Sequence, residues 1–374
     1  MQFIDLKKQY QILKKDIQIN IDKVLEHGQY IMGPEVSQLE KKLAKYAGSK
    51  YCLSCSSGTD ALLIALMAKG VKPGDAIITT PFTYIATAEV ISLLGATPIF
   101  VDVYPETFNI NPDKIPDAVN KAKDMGLKPK GIIPVDLFGL PARYRLIENI
   151  AKELNLFILE DAAQGFGGSI RGKKAGSFGD IAATSFFPAK PLGCYGDGGA
   201  IFTDSVELFS LMESIRVHGK GESKYDCDRV GLNGRLDTIQ AAILIPKLEI
   251  YEKEIELRQK VADLYSENLA NCKKIQIPFI PKEYQSVWAQ YSILLDNDKK
   301  RNDAIEALRH EGIPSVVYYQ KALHLQKTFE KLGYKVGDFP IAENISNRIL
   351  SLPMHPYLDE ISIKNISKII KSVF

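Results

Sequence analysis

The chain has 374 residues, of which 45% are hydrophobic and 25% charged, with a formal net charge of +2. That is a soluble globular composition, long enough for a large domain plus a smaller one. So small a net charge gives no general attraction for nucleic acid or a membrane surface; no apolar run approaches a span of ~20 residues and the N-terminus lacks an apolar signal core, so a cytoplasmic location is expected.

Apolar residues at helical spacing (Ile12, Leu13, Ile17, Ile21, Val24 and Leu25) predict a helix over 10–26, and a second over 35–47 that Gly48 ends. Between them Gly28 and Gly33 break the chain, and Tyr30 and Met32 either line a pocket or pack. A strand over 51–54 carries Cys52 and is followed by Cys55, two of five cysteines, in the apolar run Tyr51-Cys52-Leu53-Ser54-Cys55. With no second pair at zinc-like spacing these read as buried free thiols, and no metal is expected. The strand leads through Ser56-Ser57-Gly58-Thr59-Asp60 into a helix over 61–68. A strand, a small polar turn and a helix N-terminus together make an anion site, although an ordinary cap looks the same in sequence; the spacing is not that of a Walker loop.

Strands then alternate with helices. Strands are predicted over 75–79, 98–103, 131–135, 156–161, 181–187 and 199–203, and helices up to Gly95, within 105–125 and over 143–153. Such alternation argues for a mostly parallel sheet covered on both faces. The strand over 156–161 ends on Glu160 and Asp161, at the edge where open α/β sheets bind ligands. The strand over 181–187 delivers one lysine, Lys190, into a turn made by Pro188, Pro191 and Gly193. A lysine desolvated there has a lowered pKa and serves as a nucleophile or imine former; the plainer reading is a surface lysine. A polar, glycine-containing loop is expected over 220–228, and Asn233 and Arg235 sit just before an apolar helix over 237–248. An amphipathic helix over 250–269 is expected to lead into the smaller domain. That domain holds strands over 288–295 and 315–319 and helices over 301–311 and 360–372. The boundary is placed between 249 and 250: a large domain over 1–249 and a small C-terminal one over 250–374.

An isolated lysine, a strand-end carboxylate, an anion turn and an aromatic, Tyr84, after the next strand are the parts that pyridoxal phosphate needs: a covalent anchor, a partner for the pyridine nitrogen, a phosphate site and a stacking ring. The blocks Glu160-Asp161-Ala162-Ala163-Gln164, Ser185-Phe186-Phe187-Pro188-Ala189-Lys190-Pro191-Leu192-Gly193 and Gly196-Asp197-Gly198-Gly199 resemble the sugar-nucleotide aminotransferases of the DegT/DnrJ/StrS type. Ser57-Gly58-Thr59-Asp60, Pro81-Phe82-Thr83-Tyr84, Asn233-Gly234-Arg235-Leu236 and Leu352-Pro353-Met354-His355-Pro356 look like further blocks of that family, and the likeness runs end to end.

The resemblance implies an α/β fold type I aminotransferase, with a mixed, mostly parallel seven-stranded sheet in the large domain and a small C-terminal α/β domain. It implies Lys190 as the catalytic residue that carries pyridoxal 5′-phosphate and moves the proton. Asp161 would pair with the ring nitrogen, Gln164 would lie by the ring hydroxyl, and Tyr84 would stack. Gly58, Thr59 and Ser185 would hold the phosphate, joined by Asn233 from the other copy of a cytoplasmic homodimer with shared sites. Tyr30, Met32, Arg235, Tyr318, Tyr319 and His355 are the expected substrate contacts. The implied reaction passes the amino group of L-glutamate to C-3 of a nucleotide-linked 3-keto sugar for surface glycan (O-antigen) synthesis. Sugar dehydratases of the same fold carry histidine where this chain has Lys190, which argues against dehydration. The uronate enzymes of the family carry a His-Tyr pair where this chain has Tyr318-Tyr319, and tyrosine offers a carboxylate no positive charge. The sequence therefore leans toward dTDP-3-keto-6-deoxyhexose, with UDP-3-keto-N-acetylglucuronate, or a catalytically silent regulatory relative, as the alternatives.

Overall fold

A computed structural model describes residues 1–223 and 225–374. Two helices lead, α1 (Leu6–His27) and α2 (Pro34–Ala47), both closed by glycines in the left-handed region, Gly28 at φ 71° and Gly48 at φ 80°. Then follow β1 (Tyr51–Cys55), α3 (Gly58–Ala68), β2 (Asp75–Thr79), α4 (Ala86–Leu93), β3 (Thr97–Phe100), α5 (Ile115–Asp124), β4 (Lys128–Ile132), α6 (Tyr144–Leu154), β5 (Phe157–Asp161), β6 (Ile181–Ser185), β7 (Gly199–Thr203) and α7 (Val206–Arg216). After the 32-residue α8 (Thr238–Leu269) come β8 (Tyr291–Leu294), α9 (Asp298–His310), α10 (Pro340–Arg348), β9 (Ile349–Leu352) and α11 (Glu360–Ser372).

β1 to β7 form one mixed, mostly parallel sheet of seven strands in the order β1-β7-β6-β5-β4-β2-β3. Only the pairings of β7 are antiparallel, Ser185 and Cys55 both lying opposite its first residue, Gly199. The remaining six strands therefore run one way, and the C-terminal ends of β1, β2, β5 and β6 share one edge. Every residue of β2, β5 and β7 is buried, as expected of strands covered on both faces. Cys52 packs with α2 and α8 on one face, and Cys55 with α3 and α7 on the other. Three residues apart on a strand, the two thiols point opposite ways.

The helices expected separately over 237–248 and 250–269 are one, and α8 runs straight through Pro246. Proline has no N–H for the carbonyl four residues back, Ala242. The Asn20 side chain of α1 donates to that oxygen at 3.3 Å instead. The far half of α8 (Val261, Ala262, Tyr265 and Leu269) shares a core with β8, β9, α9 and α11. The strand expected over 315–319 reduces to a single bridge between Val316 and Ser351. α10 and β9, which the sequence reading did not resolve, complete this end of the chain. Within the loop expected over 220–228, Lys220 and Cys227 form a bridge, and Lys224 lies outside the described residues. Among the described residues no helix is long and apolar enough to cross a membrane.

Candidate active site

The shared strand edge opens into a cavity of about 410 Å³. Four strand ends supply its walls: Ser57, Gly58 and Thr59 after β1, Thr83 and Tyr84 after β2, Asp161, Ala163 and Gln164 at β5, and Ser185, Phe187 and Lys190 at β6. Tyr318, Tyr319, Gln290 and Ile4 close the opposite side.

The anion turn is built by close approach. Ser57 caps α3, its hydroxyl accepting from the Asp60 N–H at 3.0 Å, and Ser56 hydrogen-bonds the Asp60 carboxylate. A Cβ on Gly58 would stand 2.6 Å from that of Ser185, and one on Gly199 2.4 Å from the Ser57 oxygen. Glycine at both positions lets the helix N-terminus sit directly against the end of β6, leaving its first N–H groups facing the cavity. Lys190 is held by its own turn, where its N–H donates to the Phe187 oxygen at 2.8 Å. Its ammonium has no hydrogen-bonding or ion-paired partner among the described residues. Loss of hydration lowers the Lys190 pKa, and the Asp161 charge opposes that shift.

Asp161 is buried, with both oxygens engaged. One accepts from the Thr87 hydroxyl at 2.8 Å and the other from the Ala163 N–H at 3.2 Å. Burial pushes its pKa up, while Thr87, Ala163 and Lys190 pull it down. Gln164 is pinned twice, accepting from the Phe138 N–H at 2.8 Å and donating to the Tyr319 hydroxyl at 2.9 Å. The Tyr319 ring meets Phe82 edge-on at 5.9 Å.

The cavity thus gathers Gly58, Thr59, Tyr84, Asp161, Gln164, Ser185, Lys190, Tyr318 and Tyr319 from the residues singled out in sequence. It does not gather Tyr30, Met32, Asn233, Arg235 or His355. Tyr30, Met32 and Asn233 are exposed. The Nε of Arg235 is buried without a hydrogen-bond partner among the described residues. His355 is buried just beyond β9, where desolvation and then Arg258 push its pKa down to about 4. The sequence reading missed Thr83, Thr87, Ile4, Asp197 and Gln290 in the walls. For Thr87 no local signal existed, since it meets Asp161 across 74 residues of chain.

The model of the DegT/DnrJ/EryC1/StrS aminotransferase family matches residues 11–371. A Pseudomonas aeruginosa protein, UDP-2-acetamido-2-deoxy-3-oxo-D-glucuronate aminotransferase, is 48% identical over 97% of this chain and 98% of its own. A Brucella abortus aminotransferase of the family superposes with a TM-score of 0.95 at 48% identity, covering 100% of this chain and 99% of its own. NtdA of Bacillus subtilis, solved with PMP bound, has a TM-score of 0.87 at 32% identity and covers 96% of this chain and 82% of its own.

The residues present fit pyridoxal 5′-phosphate: an unpartnered lysine and a buried carboxylate face one cavity, and a helix N-terminus with no Cβ at Gly58 opens into the same space. With pyridoxal 5′-phosphate as its cofactor, the chain belongs to the DegT/DnrJ/EryC1/StrS aminotransferase family.

Proposed function

We propose that the chain transfers the amino group of L-glutamate to C-3 of a nucleotide-linked 3-keto sugar. The observation that carries this reading is the convergence of Lys190, Asp161 and the N-terminus of α3 on one cavity. When bound, the cofactor supplies an electron-withdrawing ring that makes the proton on the amine-bearing carbon removable. Lys190 anchors it and, with a lowered pKa, is the base that takes that proton and returns it. Asp161 balances positive charge on the ring nitrogen. The free N–H groups from Gly58 onward and the positive end of the α3 dipole hold the phosphate, helped by the Thr59 and Ser185 hydroxyls. Tyr84, 57% exposed at the mouth, is free to lie over the ring. Gln164, fixed from both sides, presents a preset edge to the ring hydroxyl. Asn233 and Arg235, outside the cavity of their own chain, serve a second copy in a homodimer with shared sites.

For the nucleotide sugar, likeness to the Pseudomonas aeruginosa enzyme over nearly the whole of both chains favours a UDP-linked 2-acetamido-3-keto sugar. In that case Arg235, whose Nε has no partner, is the candidate to meet a uronate carboxylate. The second reading, the dTDP-3-keto-6-deoxyhexose expected from the sequence, is favoured by charge. Among the described residues Lys190 is the only cationic side chain lining the cavity, and uncharged Tyr318 and Tyr319 face the sugar side. Either product still carries its nucleotide, so a glycosyl transfer would consume it.

Turnover with glutamate and each keto sugar separates the two. A preference for the UDP uronate that is lost in Arg235→Ala supports the first reading. Turnover of the deoxy sugar alone supports the second. Lys190→Ala should abolish both, and activity surviving that change would overturn the assignment.

A further inference from the structure

Asp161 is held by a chain of two hydroxyls rather than one. Thr87 and Thr83 are both buried, on the first turn of α4 and in the loop before it, and their hydroxyl oxygens lie 3.2 Å apart. An ionised carboxylate only accepts, so the Thr87 hydroxyl must donate to Asp161 across their 2.8 Å contact. Its proton is then committed, and the Thr83 hydroxyl must donate to Thr87. The chain runs in one direction, Thr83 to Thr87 to Asp161, and each bond polarises the next. Both threonines line the cavity, and Thr83 precedes Tyr84.

We propose that Thr83 and Thr87 are positioning residues, a directed hydroxyl relay that holds the Asp161 carboxylate as the anionic partner of the bound cofactor. This rests on the reading that Asp161 faces the ring nitrogen. The groups that face Asp161 electrostatically are Lys190 across the cavity and Asp136, Tyr144 and Tyr319 around it. Of these only Lys190 is a cation. Without the relay, the Ala163 N–H is the one hydrogen bond left to the carboxylate among those described.

The test uses the cofactor-loaded protein and three readouts: the dissociation constant of the cofactor, the pH dependence of its visible absorbance and the melting temperature of the cofactor-free chain. Thr87→Val keeps the shape and removes the donor. It should weaken cofactor retention about tenfold, equivalent to ~1.4 kcal/mol. It should also move the absorbance midpoint by about one pH unit, with little change in cofactor-free melting. Thr83→Val should do the same to a smaller extent, and Thr87→Ser should restore both readouts. Unchanged retention and midpoint in Thr87→Val, beside a clear loss in Asp161→Asn, would overturn the relay. If Asp161→Asn is itself without effect, it is the placement of Asp161 against the cofactor that fails.

Discussion

Next to Asp161, two further carboxylates are buried with no ion-paired cation among the described residues. Glu160 accepts from the N–H groups of Gly176 and Phe178, at 2.8 Å each. One oxygen of Asp136 accepts from the Ala142 N–H at 2.9 Å and the Tyr144 hydroxyl at 2.8 Å, and the other has no hydrogen-bond partner among the described residues. Burial raises both, Asp136 to about 7; the charge of Asp136 raises Glu160 further, while Glu160 pulls Asp136 part of the way back, so the pair holds a proton in the folded protein. An unfolded chain releases such protons around pH 4. The folded state therefore binds more protons over this interval, and the contribution of Asp136 to stability, complete below about pH 4, is lost as pH rises through about 7. Asp136→Asn places an N–H where the shared proton stood and keeps an oxygen for Ala142 and Tyr144. Melting curves between pH 5 and pH 8 should lose part of their downward slope in that variant, recovering on the order of 1–2 kcal/mol at the upper end. A slope identical to that of the parent would mean that the pair shares no proton. At Gly58 the constraint is steric. Gly58→Ala puts a methyl 2.6 Å from the Ser185 Cβ. Thermal unfolding should show a cost of about 1–3 kcal/mol, together with weaker phosphate retention.

Helix α8 connects the site to the rest of the fold through Lys247, which is 1% exposed. Its ammonium donates to the Gly193 oxygen at 2.6 Å and lies 4.0 Å from the centre of the Tyr195 ring. A Cβ on Gly193 would stand 2.5 Å from the Pro188 oxygen, so the backbone that Lys247 grips lies directly against the backbone that carries Lys190. Lys247→Met should free the Gly193 carbonyl and loosen the turn. Hydrogen exchange at the Cys194 amide, which donates to Phe186 at 2.8 Å, should quicken, and kcat should fall about tenfold through misplacement of Lys190. Exchange and rate both unchanged would remove α8 from the positioning of the site. Legibility also divides at this scale. The central strands were readable because burial on both faces leaves continuous apolar runs, as in Phe157–Asp161. The anion turn and the lysine turn were readable because glycine, proline and small hydroxyls mark them locally. The continuity of α8 was not, because the partner that excuses Pro246 is Asn20, more than 200 residues earlier. α10 and β9 take their form from packing against distant segments, and Thr87 declares its role only once α4 lies beside β5.

At the scale of the whole molecule, the cavity lies at the one edge where same-direction strands end, and its far wall comes from Ile4 and from Tyr318 and Tyr319. The division expected between residues 249 and 250 falls inside α8, so one continuous helix spans it. The shared-site proposal has a direct check. Lys190→Ala and Asn233→Ala, each impaired alone, should recover part of the parental activity when mixed and allowed to exchange subunits, because one site in a mixed dimer keeps both residues. No recovery after verified exchange would confine Asn233 to its own chain. The assignment stands on amination at C-3 of a nucleotide-linked sugar. Its most direct test is turnover of 15N-labelled glutamate with a UDP-linked 2-acetamido-3-keto sugar and with dTDP-3-keto-6-deoxyhexose, reading the product by NMR. The expected result is 15N bonded to C-3 of at least one of them, and none with Lys190→Ala. Label at C-4, or conversion of glutamate to 2-oxoglutarate with no label in either sugar, would contradict it.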